Sequence, residues 1–156
     1  HEILEANEGP ENLVILGIPT RGVELAKRIV EILEAIEPNQ IIEFGILDIT
    51  MYRDDLANAE REILETSLPI TGIDDKVVVL VDDVLFSGRT VRAALDALTS
   101  YGRPKQVKLA VLVDRGHREL PIRPDFVGKN LPTSVAERVS VQLLGNDGID
   151  QVVISG

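Results

Sequence analysis

The chain has 156 residues, of which 44% are hydrophobic, no cysteine, and a formal net charge of -10 at pH 7. That length and apolar content suit one domain with a full core, and the missing thiols exclude disulfides and thiolate metal sites, as fits a reducing compartment. The acidity excludes indiscriminate nucleic-acid binding, because phosphates are repelled over most of the surface.

No apolar run approaches the ~18 residues of a membrane span. The first residues lack the charged, apolar and small-residue order of a signal peptide, so a soluble cytoplasmic protein is expected. Charge is unevenly spread. From Arg103 to Arg138 there are eight lysines and arginines against four acids, a local balance of +4 that leaves -14 on the remainder. A basic third on an acidic protein points to an anionic ligand at a definite place.

Ile3 and Leu4 read as the tail of a helix whose earlier part precedes His1. Leu13 to Ile18 is the first expected strand, and it ends in Pro19-Thr20-Arg21-Gly22. A helix follows, with Val23, Ala26, Val30 and Leu33 at helical spacing and charged residues between them. Thr20, Arg21 and Gly22 read either as an ordinary exposed turn or as a ligand loop carrying a cation. Ile41 to Ile49, interrupted by Gly45, is the next strand. It leads into Thr50-Met51-Tyr52-Arg53-Asp54-Asp55 and a polar stretch of about twenty residues with little periodicity, a length that in a compact domain marks a lid or a disordered loop. A flexible lid suits chemistry that must exclude water. Asp54 and Asp55 read equally well as solvated acids, and Arg53 is the stronger candidate for an anion.

Val77 to Thr90, VVVLVDDVLFSGRT, is the most informative stretch. Its apolar run suits a strand covered on both faces, as in a parallel sheet. Asp82 and Asp83 then stand where such a strand ends, the place where open parallel sheets bind ligands. Ser87, Gly88, Arg89 and Thr90 offer backbone N–H groups, two hydroxyls, a cation and a glycine that admits a close oxygen, all at the start of a helix. This reads as a phosphate monoester site with carboxylates set to accept from sugar hydroxyls. The alternative is that the two acids merely cap a turn, although adjacent carboxylates repel unless a ligand or metal relieves them.

Val91, Ala94, Leu95 and Leu98 continue as a helix that ends near Gly102, with Pro104 beyond it. Val107 to Val113 is a fourth strand. Asp114 to Thr133, with three prolines and two glycines, reads as a rigid irregular excursion. Val139 to Leu143 and Val152 to Ile154 close the sheet or add an antiparallel edge. His117, one of two histidines, reads as a polar surface residue, and a zinc site is not expected. The alternation of strands and helices predicts a single α/β domain over 1–156, a doubly wound, mostly parallel sheet flanked by helices.

The string from Val77 to Thr90 resembles the phosphoribosyl diphosphate (PRPP) motif of type I phosphoribosyltransferases. The resemblance implies that family's fold, with a small irregular hood and a flexible lid loop. It implies that Asp82 and Asp83 hold the ribose hydroxyls, that Val84, Ser87, Gly88, Arg89 and Thr90 hold the 5'-phosphate, and that Thr20, Arg21 and Gly22 form the diphosphate loop. A magnesium ion would be carried by substrate oxygens near Asp82 and Asp83, without a cage of protein ligands. Purine-using members have a carboxylate where this chain has Phe86 and a lysine where it has Asp114, so both departures point to uracil. Uracil's acidic ring nitrogen makes stabilising charge more important than a strong base. Arg115 is the candidate for that charge, with Arg53 and Arg21 as the other catalytic candidates, and Phe86, Asp114, Val127, Gly128, Lys129 and Asn130 as the base pocket.

The strings DITMYRDDL, VDDVLFSGRTVRAALDAL and LVDRGHRELPIRPDFVGKNLPTS are similar to one subgroup, the bacterial pyrimidine operon attenuation regulators of the PyrR type, which are also uracil phosphoribosyltransferases. This resemblance covers His1 to Ile154. It implies an enzyme that makes UMP and diphosphate from uracil and PRPP and that binds pyrimidine leader RNA in response to UMP, assembled as a homodimer or larger homo-oligomer. Arg118, Arg123, Lys129 and Arg138 are then RNA-binding candidates. Phe86 aside, only Phe126 is aromatic near them, so a base-stacking platform is not expected. An enzyme without RNA binding and a regulator with residual catalysis remain the other readings.

Overall fold

The computed structural model describes residues 1–53 and 65–156. The expected lid, with Asp54 and Asp55, lies outside the described residues; Arg53 lies within them. In chain order the elements are α1 (Glu2–Ala6), β1 (Leu13–Gly17), α2 (Arg21–Ile36), β2 (Glu43–Ile46), a 3₁₀ turn (Thr50–Tyr52), β3 (Val77–Leu85), α3 (Arg89–Leu98), β4 (Gln106–Asp114), β5 (Phe126–Asn130), β6 (Arg138–Gln142), α4 (Leu144–Asp147) and β7 (Gln151–Ser155).

Five strands form one sheet in the order β2-β1-β3-β4-β5, and every neighbouring pair is parallel. The unbroken apolar runs at Leu13 and Val77 explain the two central strands. Alternate side chains of a strand face opposite ways, so each run feeds two cores. Val14, Leu16, Val78 and Leu80 pack with Val91, Ala94, Ala97 and Leu98 of α3. Leu13, Ile15, Val77, Val79 and Val81 pack with Ala26, Val30 and Leu33 of α2 and with Leu4 of α1. α1 and α2 therefore lie on one face and α3 on the other. The crossover through α2 runs outward from β1 to β2, and that through α3 runs the other way from β3 to β4. The chain thus reverses direction between β1 and β3, which places the ligand crevice at their carboxyl ends.

Two glycines set the shape of that crevice. A Cβ on Gly17 would stand 2.6 Å from the Val23 Cα, and one on Gly22 would run into the Val81 carbonyl oxygen. The turn between β1 and α2, in which a cis peptide bond joins Pro19 to Thr20, therefore sits directly against β3.

The expected strand at Ile41–Ile49 is shorter, Glu43–Ile46. Two further expectations are corrected. The segment after Asp114 contains β5, which extends the sheet alongside β4; only Phe126 and Val127 of it are even partly buried, so a sheet-edge strand with a polar second half carries no apolar run to announce it. The last two strands do not join the main sheet. β6 and β7 pair antiparallel as a separate ribbon, and the hood expected to be irregular is this ribbon with α4 between its strands. Val141 and Leu143 pack on Val113, with Val84, Leu112, Leu131 and Leu25 around them, so the ribbon stands over the carboxyl ends of β3 and β4. Arg21 reaches Asp147 at 2.7 Å and Arg28 reaches Asp150 at 2.9 Å, tying α2 to the ribbon. Among the described residues no helix is long and apolar enough to cross a membrane.

Because the space beside Val81 is closed, Gly22→Ala is expected to lower the unfolding free energy by roughly 1–3 kcal/mol, the usual cost of overpacking. Chemical denaturation of the two proteins measures this.

Candidate active site

The site begins where β3 leaves the sheet. Asp82 is 8% exposed and Asp83 is partly buried. Each carboxylate accepts the next backbone N–H, Asp82 Oδ1 from Asp83 at 2.9 Å and Asp83 Oδ1 from Val84 at 2.8 Å. These local bonds fix both side chains. The turn that follows is possible because Gly88 takes the left-handed conformation, φ +93, just before α3. Ser87 Oγ accepts the Arg89 N–H at 3.3 Å, and the free N–H groups of the first turn of α3 point outward for an anion.

The turn is held from beneath by the segment after β4. The Ser87 carbonyl accepts N–H bonds from Glu119 (2.9 Å) and Leu120 (3.1 Å), while the side chains of Leu120 and Ile122 fill the space over Gly88. Arg89 Nε donates to Glu119 Oε2 at 2.9 Å. Arg118 donates to the Phe86 carbonyl at 3.0 Å, to the Ile122 carbonyl at 2.9 Å and to Asp114 Oδ2 at 2.6 Å. That hydrogen bond from Arg118 holds the Asp114 carboxyl below its ordinary range, against the opposing effect of burial, with the Gly116 N–H adding to it.

Arg115 is 7% exposed. Its guanidinium lies over the Phe86 ring, 4.2 Å from the centroid, and donates to the Ser134 carbonyl at 2.9 Å. Its Nε is buried with no hydrogen-bond partner among the described residues. A buried donor of this kind costs free energy unless a ligand supplies an acceptor. The His117 ring stands edge-on to Phe86, centroids 6.1 Å apart, with Nε2 2.5 Å from the Thr133 carbonyl.

These groups line one cleft of about 620 Å³. It holds Arg53, Asp82, Asp83, Val84, Phe86, Ser87, Gly88, Arg89, Thr90, Arg115 and Arg138 of the residues singled out from sequence. Others are placed elsewhere. Thr20, Arg21 and Gly22 lie at the end of β1 beside Val81 and Asp82, and the Arg21 guanidinium is engaged by Asp147, whose hydrogen bond raises its pKa. Val127, Gly128, Lys129 and Asn130 belong to β5 at the sheet edge, and they and Asp114 are not part of the cleft lining. Val127 and Gly128 face an apolar groove beside α2, and Lys129 one beside β7. Of the RNA-binding candidates, Arg123, Lys129 and Arg138 are exposed, whereas Arg118 braces the loop through its three bonds.

Sequence reasoning missed Glu119 and the run Val135–Glu137, which also line the cleft. One signal for the latter exists. Ser134-Val135-Ala136-Glu137 has the spacing of a capping box, and the Ser134 N–H does donate to Glu137 Oε1 at 2.7 Å, though a turn follows in place of a helix.

Two carboxylates and a cleft open to substrate oxygens fit a hard cation that takes one or two protein carboxylates and completes its shell with substrate and water. Among the described residues no group of three or more His, Cys, Asp or Glu forms a protein cage for a metal.

The depressed Asp114 pKa carries a stability consequence. The folded value lies below the unfolded one, so the contribution is full above the ordinary aspartate pKa of ~3.9 and is lost as pH falls through the depressed value. The stability advantage over Asp114→Asn, read by urea denaturation across the acid range, is expected to be full at neutral pH and to shrink at the acid end.

The phosphoribosyl transferase domain model matches residues 2–143. The chain is 61% identical over 155 residues to "Bifunctional protein PyrR" of Streptomyces coelicolor, covering 99% of this chain and 80% of that protein. It is 62% identical over 159 residues to the protein of the same name from Leifsonia xyli subsp. xyli, covering 99% and 86%. Among solved structures it resembles a hypoxanthine-guanine phosphoribosyltransferase of Bacillus anthracis with a TM-score of 0.61 at 19% identity, over 84% of this chain and 71% of that one. A purine phosphoribosyltransferase of Pyrococcus horikoshii Ot3 gives a TM-score of 0.55 at 24% identity, over 83% and 75%. At those identities the structural likeness concerns the fold alone. The cleft at the carboxyl end of β3, the parallel sheet beneath it and the match along nearly the whole sequence agree, and the chain belongs to the phosphoribosyltransferase family and, within it, to the bifunctional PyrR proteins.

Proposed function

We propose that this protein converts uracil and PRPP to UMP and diphosphate, and that it binds pyrimidine leader RNA in response to UMP. The observation that carries the enzymatic half is the buried Arg115 guanidinium, stacked on Phe86 with an unpartnered Nε, in the same cleft as Asp82, Asp83 and the turn into α3.

In this reading the 5'-phosphate is held by the N–H groups and hydroxyls of Ser87 to Thr90, and the ribose hydroxyls donate to Asp82 and Asp83. Magnesium, when bound with PRPP, neutralises diphosphate charge, and Asp82 and Asp83 are the side chains facing it. Arg53 is the side chain assigned to the diphosphate, since it lines the cleft and Arg21 does not. The uracil N1–C1' bond forms as the C1'–O bond to diphosphate breaks; the electron pair leaves with diphosphate and the N1 proton goes to solvent. Negative charge spreads onto the uracil carbonyls as N1 loses its proton, and Arg115 stabilises it in a site partly shielded from water. Phe86 and the segment Ser134 to Glu137 form the base side of the cleft, in place of Asp114 and Val127 to Asn130. An aromatic face and neutral backbone suit a small neutral pyrimidine.

The regulatory half is supported by the kinship with proteins named bifunctional and by the basic balance of Arg103 to Arg138. The exposed Arg123 and Lys129 are the better RNA contacts, because Arg118 is internally bonded. Assembly as a homodimer or larger belongs to the same reading.

Asp82→Asn and Asp83→Asn are each expected to raise the PRPP KM by roughly tenfold or more, the cost of a hydrogen bond to a charged group, with little change in the uracil KM; initial-rate kinetics decide it. Arg115→Ala is expected to lower kcat by roughly 10²-fold, and an unchanged rate would remove Arg115 from the mechanism. For RNA, filter binding to a pyrimidine leader with and without UMP tests the second half. Arg123→Ala or Lys129→Ala should flatten the log–log salt dependence by about 0.7 to 0.9 per lost phosphate contact and leave PRPP affinity alone. Absence of binding at low salt would leave an enzyme without a regulatory role.

A further inference from the structure

Arg53 is the last described residue before 54–64, and the chain on both sides of that segment is tied to the scaffold. The Thr50 N–H donates to Asp48 Oδ1 at 2.7 Å, and the Asp48 N–H donates to Thr66 Oγ1 at 3.0 Å. Ile46 and Ser67 exchange backbone hydrogen bonds of 2.7 and 2.9 Å. Both ends are therefore fixed at the carboxyl end of β2. One further bond reaches a different element. The Tyr52 hydroxyl lies 2.6 Å from Ser100 Oγ, just beyond the end of α3, the helix whose other end carries the phosphate turn.

Tyr52 belongs to the 3₁₀ turn, and its own N–H is bonded to the Ile49 carbonyl at 2.9 Å. The chain then straightens at Arg53, φ -79 and ψ 138, and Arg53 lines the cleft. A single turn is a weak anchor, because its hydrogen bonds are few and poorly aligned. The direction in which Arg53 leaves it depends on what holds Tyr52. Nothing in the chemistry above uses the Tyr52 hydroxyl, and its ring is exposed enough, at 37%, that packing alone does not fix it.

We propose that Tyr52 is a positioning residue, latched through its hydroxyl to Ser100, that aims Arg53 at the diphosphate of PRPP. The latch measures the position of Arg53 against α3, so the cation assigned to the diphosphate and the turn assigned to the 5'-phosphate are referred to one rigid rod. Holding the turn before substrate arrives removes ordering that Arg53 would otherwise undergo on binding. This inference rests on the reading of Arg53 as the diphosphate ligand.

The test uses the full chain with PRPP and uracil varied separately, and PRPP affinity measured by calorimetry in the absence of uracil. Tyr52→Phe and Ser100→Ala are each expected to raise the PRPP KM and Kd by roughly three- to tenfold, the range for one neutral hydrogen bond. The uracil KM should stay within about twofold, and the double variant should be no worse than either single one, because both remove the same bond. Ser100→Thr, which keeps a hydroxyl, should recover most of the loss. Unchanged PRPP constants in Tyr52→Phe, additive effects in the double variant, or equal rises for both substrates would overturn the proposal. Arg53→Ala separates the two levels. If it leaves PRPP affinity intact, the diphosphate reading of Arg53 fails and the latch with it; if it weakens PRPP while Tyr52→Phe does not, the latch alone fails.

Discussion

Everything at the site depends on the bonding of two loops that are far apart in sequence. The turn from β3 into α3 exposes its backbone to receive a phosphate, and a backbone so exposed has few internal hydrogen bonds to hold its shape. The segment after β4 supplies them. Two N–H groups on the Ser87 carbonyl, Arg118 on the Phe86 carbonyl and Ile122 over Gly88 fasten the turn from the side that a ligand does not use. The phosphate side is left open because the opposite side is fully engaged, a form of preorganisation that leaves little reordering to be done on binding.

The Asp114–Ile122 segment braces that turn and sets Arg115 over Phe86. The exposed basic residues assigned to RNA come after it, Arg123 directly beyond the segment and Lys129 in β5. Phe86 meets the Arg115 guanidinium over its ring face and the His117 ring edge-on, so one aromatic ring contacts two residues of that segment. On the proposed reading, the cleft and the RNA contacts are joined by a short stretch of chain, from Arg115 through Arg118 to Arg123.

The central strands were legible because burial on both faces forces unbroken apolar runs, and the acids with the small-residue turn were legible because phosphate chemistry demands those types in that order. The edges were not. β5 is half exposed and its sequence, Phe126-Val127-Gly128-Lys129-Asn130, obeys no burial rule strong enough to read. The ribbon's two strands were visible as strands, yet their pairing was not, since apolar alternation says which face is buried and not which sheet receives it. The position of the expected base-pocket residues outside the cleft lining was illegible for a related reason. Asp114 is adjacent in sequence to Arg115, but the ion pair with Arg118 turns it into the loop, and Val127 to Asn130 follow β5 away from the cleft. Side-chain partners of that kind are tertiary facts. Resemblance placed the chain in its family, and it could not say which neighbours of Arg115 the fold would bring to face it.

The glycines at 17 and 22 make a rigid seam beside the cleft. Where backbone abuts backbone at Gly22 and Val81, no side chain can be added without parting the sheet from its loop, so the seam between that turn and β3, next to Asp82, has a geometry that substitution cannot adjust. The side assigned to the base is made of a partly exposed aromatic ring and a surface turn, both outside the packed core. On the proposed reading, the acceptor is met by side chains that stand outside the core, while the crevice that receives the donor adjoins a seam locked in the main chain.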